Sequence, residues 1–362
     1  MSRPLGVGVV GCGVISQSYL THLPRYPGVR LVAVTDLVPE RAAAAAARHG
    51  IDAASDLEAL LGRDDVDVVC NLTLPQAHAE VTQPCVEAGK HVYGEKPLAT
   101  SALEAAPMLA EARASSLLVG CAPDTFLGPA HQLSRRLLDE GRIGAPVAAT
   151  ASWLSRGHES WHPDADYYYR SGAGPLFDMG PYYLTALVHL LGPVSRVSAV
   201  TSAAWTTRAL EVGPRAGQTC PVEVPTHVSG LLQFAGGAAA TVHLSFDINS
   251  DLPPRLEVYG TEGTLFCPDP NQFDGDVALY AAGERTDVEV SRTGDQRGIG
   301  LADLADAVST GRQPRASAAL ALHVLEVMDA LHQAGDDQRV VEIASRVERP
   351  ALLSPDESWL AT

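Results

Sequence analysis

The chain begins with an unbroken apolar run, Leu5-Gly6-Val7-Gly8-Val9-Val10, short enough to be a buried strand. A glycine corner, Gly11-Cys12-Gly13-Val14-Ile15-Ser16, ends it, and a helical pattern runs from Gln17 to Tyr26. The alternation then repeats. Arg30 to Asp36 reads as a strand, and Pro39 to His49 as an alanine-rich helix with proline where a first turn tolerates it. A short helix from Asp56 to Leu61, capped at Ser55, precedes a strand from Val66 to Leu72. Ala77 to Ala88 is helical, His91 to Gly94 a strand, Leu103 to Ser115 helical and Leu117 to Cys121 a strand. This order predicts an α/β, doubly wound parallel sheet with helices on both faces, over residues 1–122.

Past residue 122 the period changes. One more helix, Pro129 to Glu140, leads into alternating runs at Val147 to Leu154, Val194 to Thr201, His227 to Phe234, Ala238 to Phe246 and Arg255 to Gly260. Gly236-Gly237 is a hairpin signal between two of them. Strands with one apolar face fit an antiparallel sheet better than further βαβ units. With late helices at Leu301 to Ser309 and Ala316 to Gln333, residues 123–362 are expected to form an α+β domain.

A strand, a glycine corner and a helix start make a site for a pyrophosphate: glycine lets the backbone approach, and the helix end presents free N–H groups. Ser16 stands where a third glycine is usual and is small enough for close helix–strand packing. Asp36 ends the second strand about 20 residues past the corner, where a carboxylate accepts from the adenosine ribose hydroxyls and repels a 2′-phosphate. Gly11, Gly13, Val14, Ile15 and Asp36 are therefore the expected NAD-binding residues. Arg41 and Arg48 on the next helix could meet a phosphate, which leaves NADP as the lesser alternative.

Composition narrows the partners. A formal net charge of −17 argues against nucleic acid and anionic membranes. No apolar run reaches the roughly 18 residues of a membrane span. The six cysteines lack C-x-x-C spacing and read as buried thiols, and the first strand begins within a few residues of Met1, so a cytoplasmic location is expected. No cluster has zinc-ligand spacing; His158 and His162 read as solvated or substrate-facing rather than metal ligands.

Gly94-Glu95-Lys96-Pro97-Leu98 follows the strand at His91, at the carboxyl end of the parallel sheet, where doubly wound folds bind ligands. The proline keeps Lys96 in an extended turn. With the glycine corner, with Asp178-Met179-Gly180 before an apolar helix, and with the late stretch Ala319 to Met328, this segment resembles the Gfo/Idh/MocA oxidoreductase family over nearly the whole chain. The resemblance implies an NAD(P)-binding Rossmann domain, a C-terminal open-sheet domain, hydride transfer on sugars, inositols or related polyols, and a homodimer or homotetramer. It makes Lys96 the catalytic lysine and Asp178 the acid of the family's D-x-G-x-H. Thr73, Leu74 and His78 then form the loop after the fourth strand, with leucine where proline is usual, and join Glu95 and Lys96 as cofactor-side residues. Tyr182 occupies the histidine position and Thr185 that of a further acid. A phenol, with a reference pKa of about 10, works as a base only beside a cation. Tyr182 and Lys96 are therefore expected to share the substrate hydroxyl, with Asp178 orienting one of them; the alternative is that Tyr182 only shapes the pocket and Asp178 or a nearby histidine takes the proton.

Gly157 to Arg170 is unusually aromatic and polar. Trp153, His158, Trp161, His162 and Tyr168 suit a sugar ring, with its apolar faces and many donors, or equally a core or interface loop. Asp124 is expected either to bind substrate hydroxyls or to cap the helix after Pro129. The leading expectation is an NAD-dependent dehydrogenase of a sugar, inositol or related cyclic polyol. An NAD-dependent, redox-assisted glycosidase and a non-catalytic dinucleotide-sensing regulator are the alternatives.

Overall fold

The computed structural model describes residues 3–250, 252–290, 296–354, 357, 359 and 360. The chain divides into two units, residues 1–128 with 292–322 and 350–362, and residues 129–291 with 323–349.

The first unit is built on six parallel strands: β1 (Leu5–Val10), β2 (Val29–Thr35), β3 (Asp52–Ala53), β4 (Val68–Asn71), β5 (His91–Gly94) and β6 (Val119–Cys121). Their order is β3-β2-β1-β4-β5-β6, so the winding reverses between β1 and β4. β1 is apolar because both of its faces are covered, and Val7 and Val9 are fully buried. The connecting helices are α1 (Ser16–His22), α2 (Pro39–His49), α3 (Leu57–Leu61), α4 (His78–Glu87) and α5 (Ala102–Ala114). α1 is shorter than the pattern suggested, and the chain tightens into a 3-10 turn at Leu23–Arg25, which holds Pro24. α3 is capped by Asp56, not Ser55: the Asp56 carboxylate accepts from Ala59 N at 2.8 Å, and Ser55 Oγ donates to it.

The expected cut at residue 122 gives way to one at 128, with two later returns of the chain. Asp124 accepts from Gly298 N at 2.9 Å and Gly300 N at 3.1 Å, Cys121 N donates to Ala316 O at 3.0 Å, and Gly120 bridges Ser317. Arg315 in turn donates to Leu352 O at 3.2 Å and to Glu357. These bonds fasten the helix Ile299–Thr310 and the chain's last segment to the first unit.

The second unit holds α6 (Pro129–Asp139), α7 (Gly174–Leu191) and a nine-stranded sheet. Its strands are β7 (Pro146–Leu154), β8 (Val194–Ser202), β11 (His227–Phe234), β12 (Ala239–Ser245), β13 (Arg255–Gly260), β14 (Gly263–Cys267), β15 (Val277–Ala281), β16 (Glu284–Val288) and β17 (Val341–Glu342), with β9 (Thr207–Ala209) and β10 (Thr219–Pro221) as a separate ribbon. β12 and β7 pair in parallel, and the other pairs in this sheet are antiparallel. Along β11 Val228, Leu232 and Phe234 are buried and Leu231 is exposed, so one sheet face is covered, with α7 packed on β7, β11 and β12, and the other is open. Asp178-Met179-Gly180 lies inside α7 rather than before it. Pro175 starts the helix, and Gly180 lets Leu176, Met328 and Leu244 come within 3.5 Å of where a Cβ would stand. Among the described residues no helix is long and apolar enough to cross a membrane.

Candidate functional site

In the first unit the candidate residues gather at the carboxyl ends of β1, β2, β4 and β5. Gly11 turns the chain with φ of +96°; a Cβ there would stand 2.7 Å from Leu72 O and 3.0 Å from Thr73 N, so only glycine lets the corner lie against the end of β4. Gly13 faces open space. Ser16 is fully buried, and its Oγ donates to Gly13 O at 2.6 Å, so the small third residue fills the packing position assigned to it. Asp36 accepts from Cys12 N at 2.7 Å and from Val38 N at 2.8 Å, one bond per carboxylate oxygen. Each oxygen keeps acceptor capacity for a ribose hydroxyl. Burial, then Asp36, pushes the Cys12 thiol up to about 11, which keeps it neutral beside that carboxylate.

Val14, Leu37 and Leu74, in the loops after β1, β2 and β4, are 93%, 102% and 67% exposed. Three large apolar side chains bared on adjacent loops form the rim a planar ring system would cover. NAD fits these residues: a corner with no room for a side chain, an open glycine beside it, a prepositioned carboxylate and an apolar rim.

Asn71, which the sequence reading did not single out, organises the next loop. Its Oδ1 accepts from Thr73 Oγ1 at 2.7 Å and Thr73 N at 3.3 Å, while its Nδ2 donates to His78 O and Thr82 Oγ1. A buried amide closing an apolar strand was the available signal. Beyond β5, Lys96 stands half-buried in its turn. The chain contains two lysines against 24 arginines. Lys90 is tied to the carbonyls of Arg63 and Val66. At Lys96, then, a protein that otherwise uses guanidinium keeps a compact ammonium, the group suited to protonic chemistry.

In the second unit α7 is buried all round from Gly174 to Leu190 except at Asp178, whose side chain is 17% exposed. His158 Nε2 lies 3.0 Å from Asp178 Oδ2, joining residues that sequence placed 20 positions apart. Tyr182, 5% exposed, is one helical turn beyond Asp178 on the same face. The His158 ring sits among Tyr168 at 4.1 Å, Phe246 at 4.7 Å, Trp161 at 5.1 Å and Trp153 at 6.0 Å. His162 packs on Trp161 and Tyr168, and its Nδ1 accepts from Asp164 N. The five aromatic and imidazole candidates thus form one cluster, with Trp161 60% exposed at its edge.

A buried ion network beneath this loop is the second feature missed. Arg208 donates to Glu159, to Asp247 at 3.0 Å and to Phe246 O at 3.0 Å; Tyr169 Oη donates to Glu159 at 2.7 Å and Thr226 Oγ1 to Asp247 at 2.6 Å. Burial pushes the Glu159 carboxyl up, but Arg208 and Tyr169 outweigh it and hold it below its ordinary value. Arg208→Leu leaves Glu159 and Asp247 charged and unpaired, and is expected to cost about 3–5 kcal/mol of stability in a urea titration. A loss below about 1 kcal/mol would refute the network's role in holding the loop.

Residues 5–122 match the family model of the oxidoreductase family with NAD-binding Rossmann fold, and residues 131–266 that of the GFO/IDH/MocA C-terminal domain. The chain belongs to the Gfo/Idh/MocA family. It is 30% identical over 264 residues to 1,5-anhydro-D-fructose reductase of Ensifer adhaerens, covering 71% of this chain and 74% of that one. Against dTDP-3,4-didehydro-2,6-dideoxy-alpha-D-glucose 3-reductase of Saccharopolyspora spinosa the identity is 32% over 274 residues, covering 73% and 75%. Among solved structures, levoglucosan dehydrogenase in complex with NADH and L-sorbose superposes with a TM-score of 0.82 at 24% identity, covering 95% of this chain and all of that one. The protein is an NAD(P)-dependent oxidoreductase.

Two of the expected site residues are buried against protein partners in this Gfo/Idh/MocA member. Glu95 is buried: it accepts from Tyr19 Oη at 2.9 Å and from Lys96 N at 3.0 Å, with Arg297 Nη1 at 3.8 Å. It holds the backbone that carries Lys96. Asp124 is fully buried and does not cap α6; it fastens Gly298 and Gly300, and burial raises its pKa to about 6 against the pull of Arg297. Local pattern could not show this, because both partners lie more than 170 residues away. Among the described residues no cluster of His, Cys, Asp and Glu is arranged to hold a metal ion.

Proposed function

We propose that this Gfo/Idh/MocA oxidoreductase interconverts a secondary hydroxyl and a ketone on a sugar, inositol or related cyclic polyol, with NAD preferred over NADP. The observation that carries the reading is Asp178, the single opening in an otherwise buried stretch of helix, held by His158 inside an aromatic cluster. Aromatic faces beside carboxylate, imidazole and phenol groups match a ring with apolar C–H faces and many hydroxyls. The named relatives that act on anhydrofructose and a deoxysugar favour the same class.

When bound, NAD supplies the hydride acceptor. The chain's own residues do the rest. Asp36 takes the ribose hydroxyls. The Lys96 ammonium donates to the reacting oxygen and steadies the negative charge that grows there as the hydroxyl proton leaves, ahead of hydride transfer. Tyr182, as its phenolate, receives the hydroxyl proton and becomes the phenol, and Asp178, fixed by His158, orients the ring through its neighbouring hydroxyls. Assembly as a homodimer or homotetramer through the open sheet face around Leu231 belongs to the same proposal; light scattering that returned a monomer mass would remove that part.

The deciding experiment is a panel of sugars, inositols and glycosides incubated with NAD or NADP. Reduced NAD formed in step with substrate supports the reading. Aglycone release without net reduced cofactor would replace it with the redox-assisted glycosidase. Asp36→Ser is expected to raise KM for NAD about 10-fold or more and to narrow the gap to NADP, since it removes both the ribose acceptor and the charge that repels a 2′-phosphate. An unchanged NAD:NADP ratio in that variant would take the preference away from Asp36.

A further inference from the structure

His78 starts α4 with its side chain buried, and both ring nitrogens face backbone carbonyls. Nδ1 lies 2.6 Å from Pro97 O and Nε2 3.1 Å from Thr73 O. A carbonyl only accepts, and a neutral imidazole donates once. Burial pushes the His78 pKa down and Lys96 adds to that, while the two carbonyls and Glu95 pull the other way. The net direction leaves one proton on the ring, and the shorter contact assigns it to Nδ1.

That bond grips the residue immediately after Lys96. The opposite edge of the same ring abuts the Thr73 carbonyl, in the loop that Asn71 ties to the end of β4, and Asn71 also holds His78 O. A chain of bonds therefore runs from β4 through the imidazole to the turn carrying the ammonium. His78 was expected on the cofactor side; with 2% of its surface exposed it has little left to offer a ligand.

We propose that His78 is a positioning residue for Lys96: its Nδ1–H, bonded to the Pro97 carbonyl, sets where the ammonium stands. The inference rests on the reading of Lys96 as the group that meets the reacting hydroxyl.

The test uses amide geometry. The amide nitrogen of asparagine overlays the imidazole Nδ1, and that of glutamine overlays Nε2. His78→Asn keeps the Pro97 bond, His78→Gln moves the donor to the Thr73 side, and His78→Leu removes both. Lys90, fixed by its two carbonyls, is an internal reference for Lys96 in competitive acetylation of the full chain with acetic anhydride, read by mass spectrometry. The Lys96:Lys90 labelling ratio is expected to stay within about 2-fold of wild type in the asparagine variant and to move by about 5-fold or more in the other two. NADH affinity, by fluorescence titration, is expected to stay within about 3-fold in all three. Rescue by asparagine alone separates positioning from bulk packing and holds even if the leucine variant unfolds. An unchanged ratio in the glutamine variant, a shifted ratio in the asparagine variant, or NADH affinity falling in step with the ratio each overturns the proposal. None of these readouts uses turnover, so they stand apart from failure of the Lys96 reading, which the Lys96→Met rate reports.

Discussion

Lys96→Met is expected to lower kcat by about 10³-fold or more while NADH affinity stays within about 3-fold. Methionine keeps the length and apolar stem of lysine and removes the ammonium, so the variant isolates the charge. The turn itself is held by groups other than that ammonium: Glu95 accepts from the Lys96 backbone N–H, and His78 contacts Pro97. The substitution should therefore leave the turn in place and the fold intact. Negative charge grows on the hydroxyl oxygen as its proton leaves, and a preorganised cation at that oxygen acts more strongly in the transition state than in the ground state. For that reason the loss belongs in kcat rather than in substrate KM. A kcat within about 10-fold of wild type would sink the assignment. Loss of NADH binding would make Lys96 a cofactor ligand instead.

Much of this arrangement is written in local pattern. The alternation of apolar runs and helical segments over the first 121 residues corresponds to five of the six parallel strands, all but β3, whose two exposed residues carry no apolar signal, and α2 begins and ends where proline and the glycine after His49 place it. Both boundary signals act within a few residues, which is the range that periodicity can read. The hairpin at Gly236-Gly237 is legible for the same reason: Phe234 and Ala238 close it, and Gly237 supplies φ of +95°.

What local pattern misses depends on distant partners. β14 to β17 are short, and β16 is largely exposed, so they carry little alternation. The return of residues 292–322 to the first unit depends on Asp124, an acid whose burial is decided by Gly298 and Gly300. Arg208 sits in a three-residue strand with no apolar signal, yet it holds Glu159 and Asp247 from two separate segments. The His158–Asp178 bond links a loop to a helix face; both residues were named from sequence, but nothing in their spacing pairs them. The residue types at the site were thus readable, while their partnerships were products of the fold.

Those partnerships sharpen the remaining question, the destination of the proton. Tyr182→Phe is expected to lower kcat by about 10²–10⁴-fold with little change in stability. Phenylalanine refills the volume of a side chain that is 5% exposed, so packing is kept and only the hydroxyl is lost. The Asp178–His158 pair stands one turn away on α7 and is the competing acceptor. If it took the proton, Tyr182→Phe would keep both the wild-type maximal rate and the pH profile, and Tyr182 would be a wall of the pocket. A fallen rate with an altered pH profile assigns the transfer to the phenol and leaves Asp178 to orient substrate. Lys96 supplies a second discriminator. If ammonium and phenol serve the same hydroxyl, each has little to act on once the other is gone. The double variant Lys96→Met, Tyr182→Phe should then lose far less than the product of the two single losses. Additive losses would mean that the two side chains act on separate steps, and the shared-hydroxyl mechanism would fall even with both residues essential.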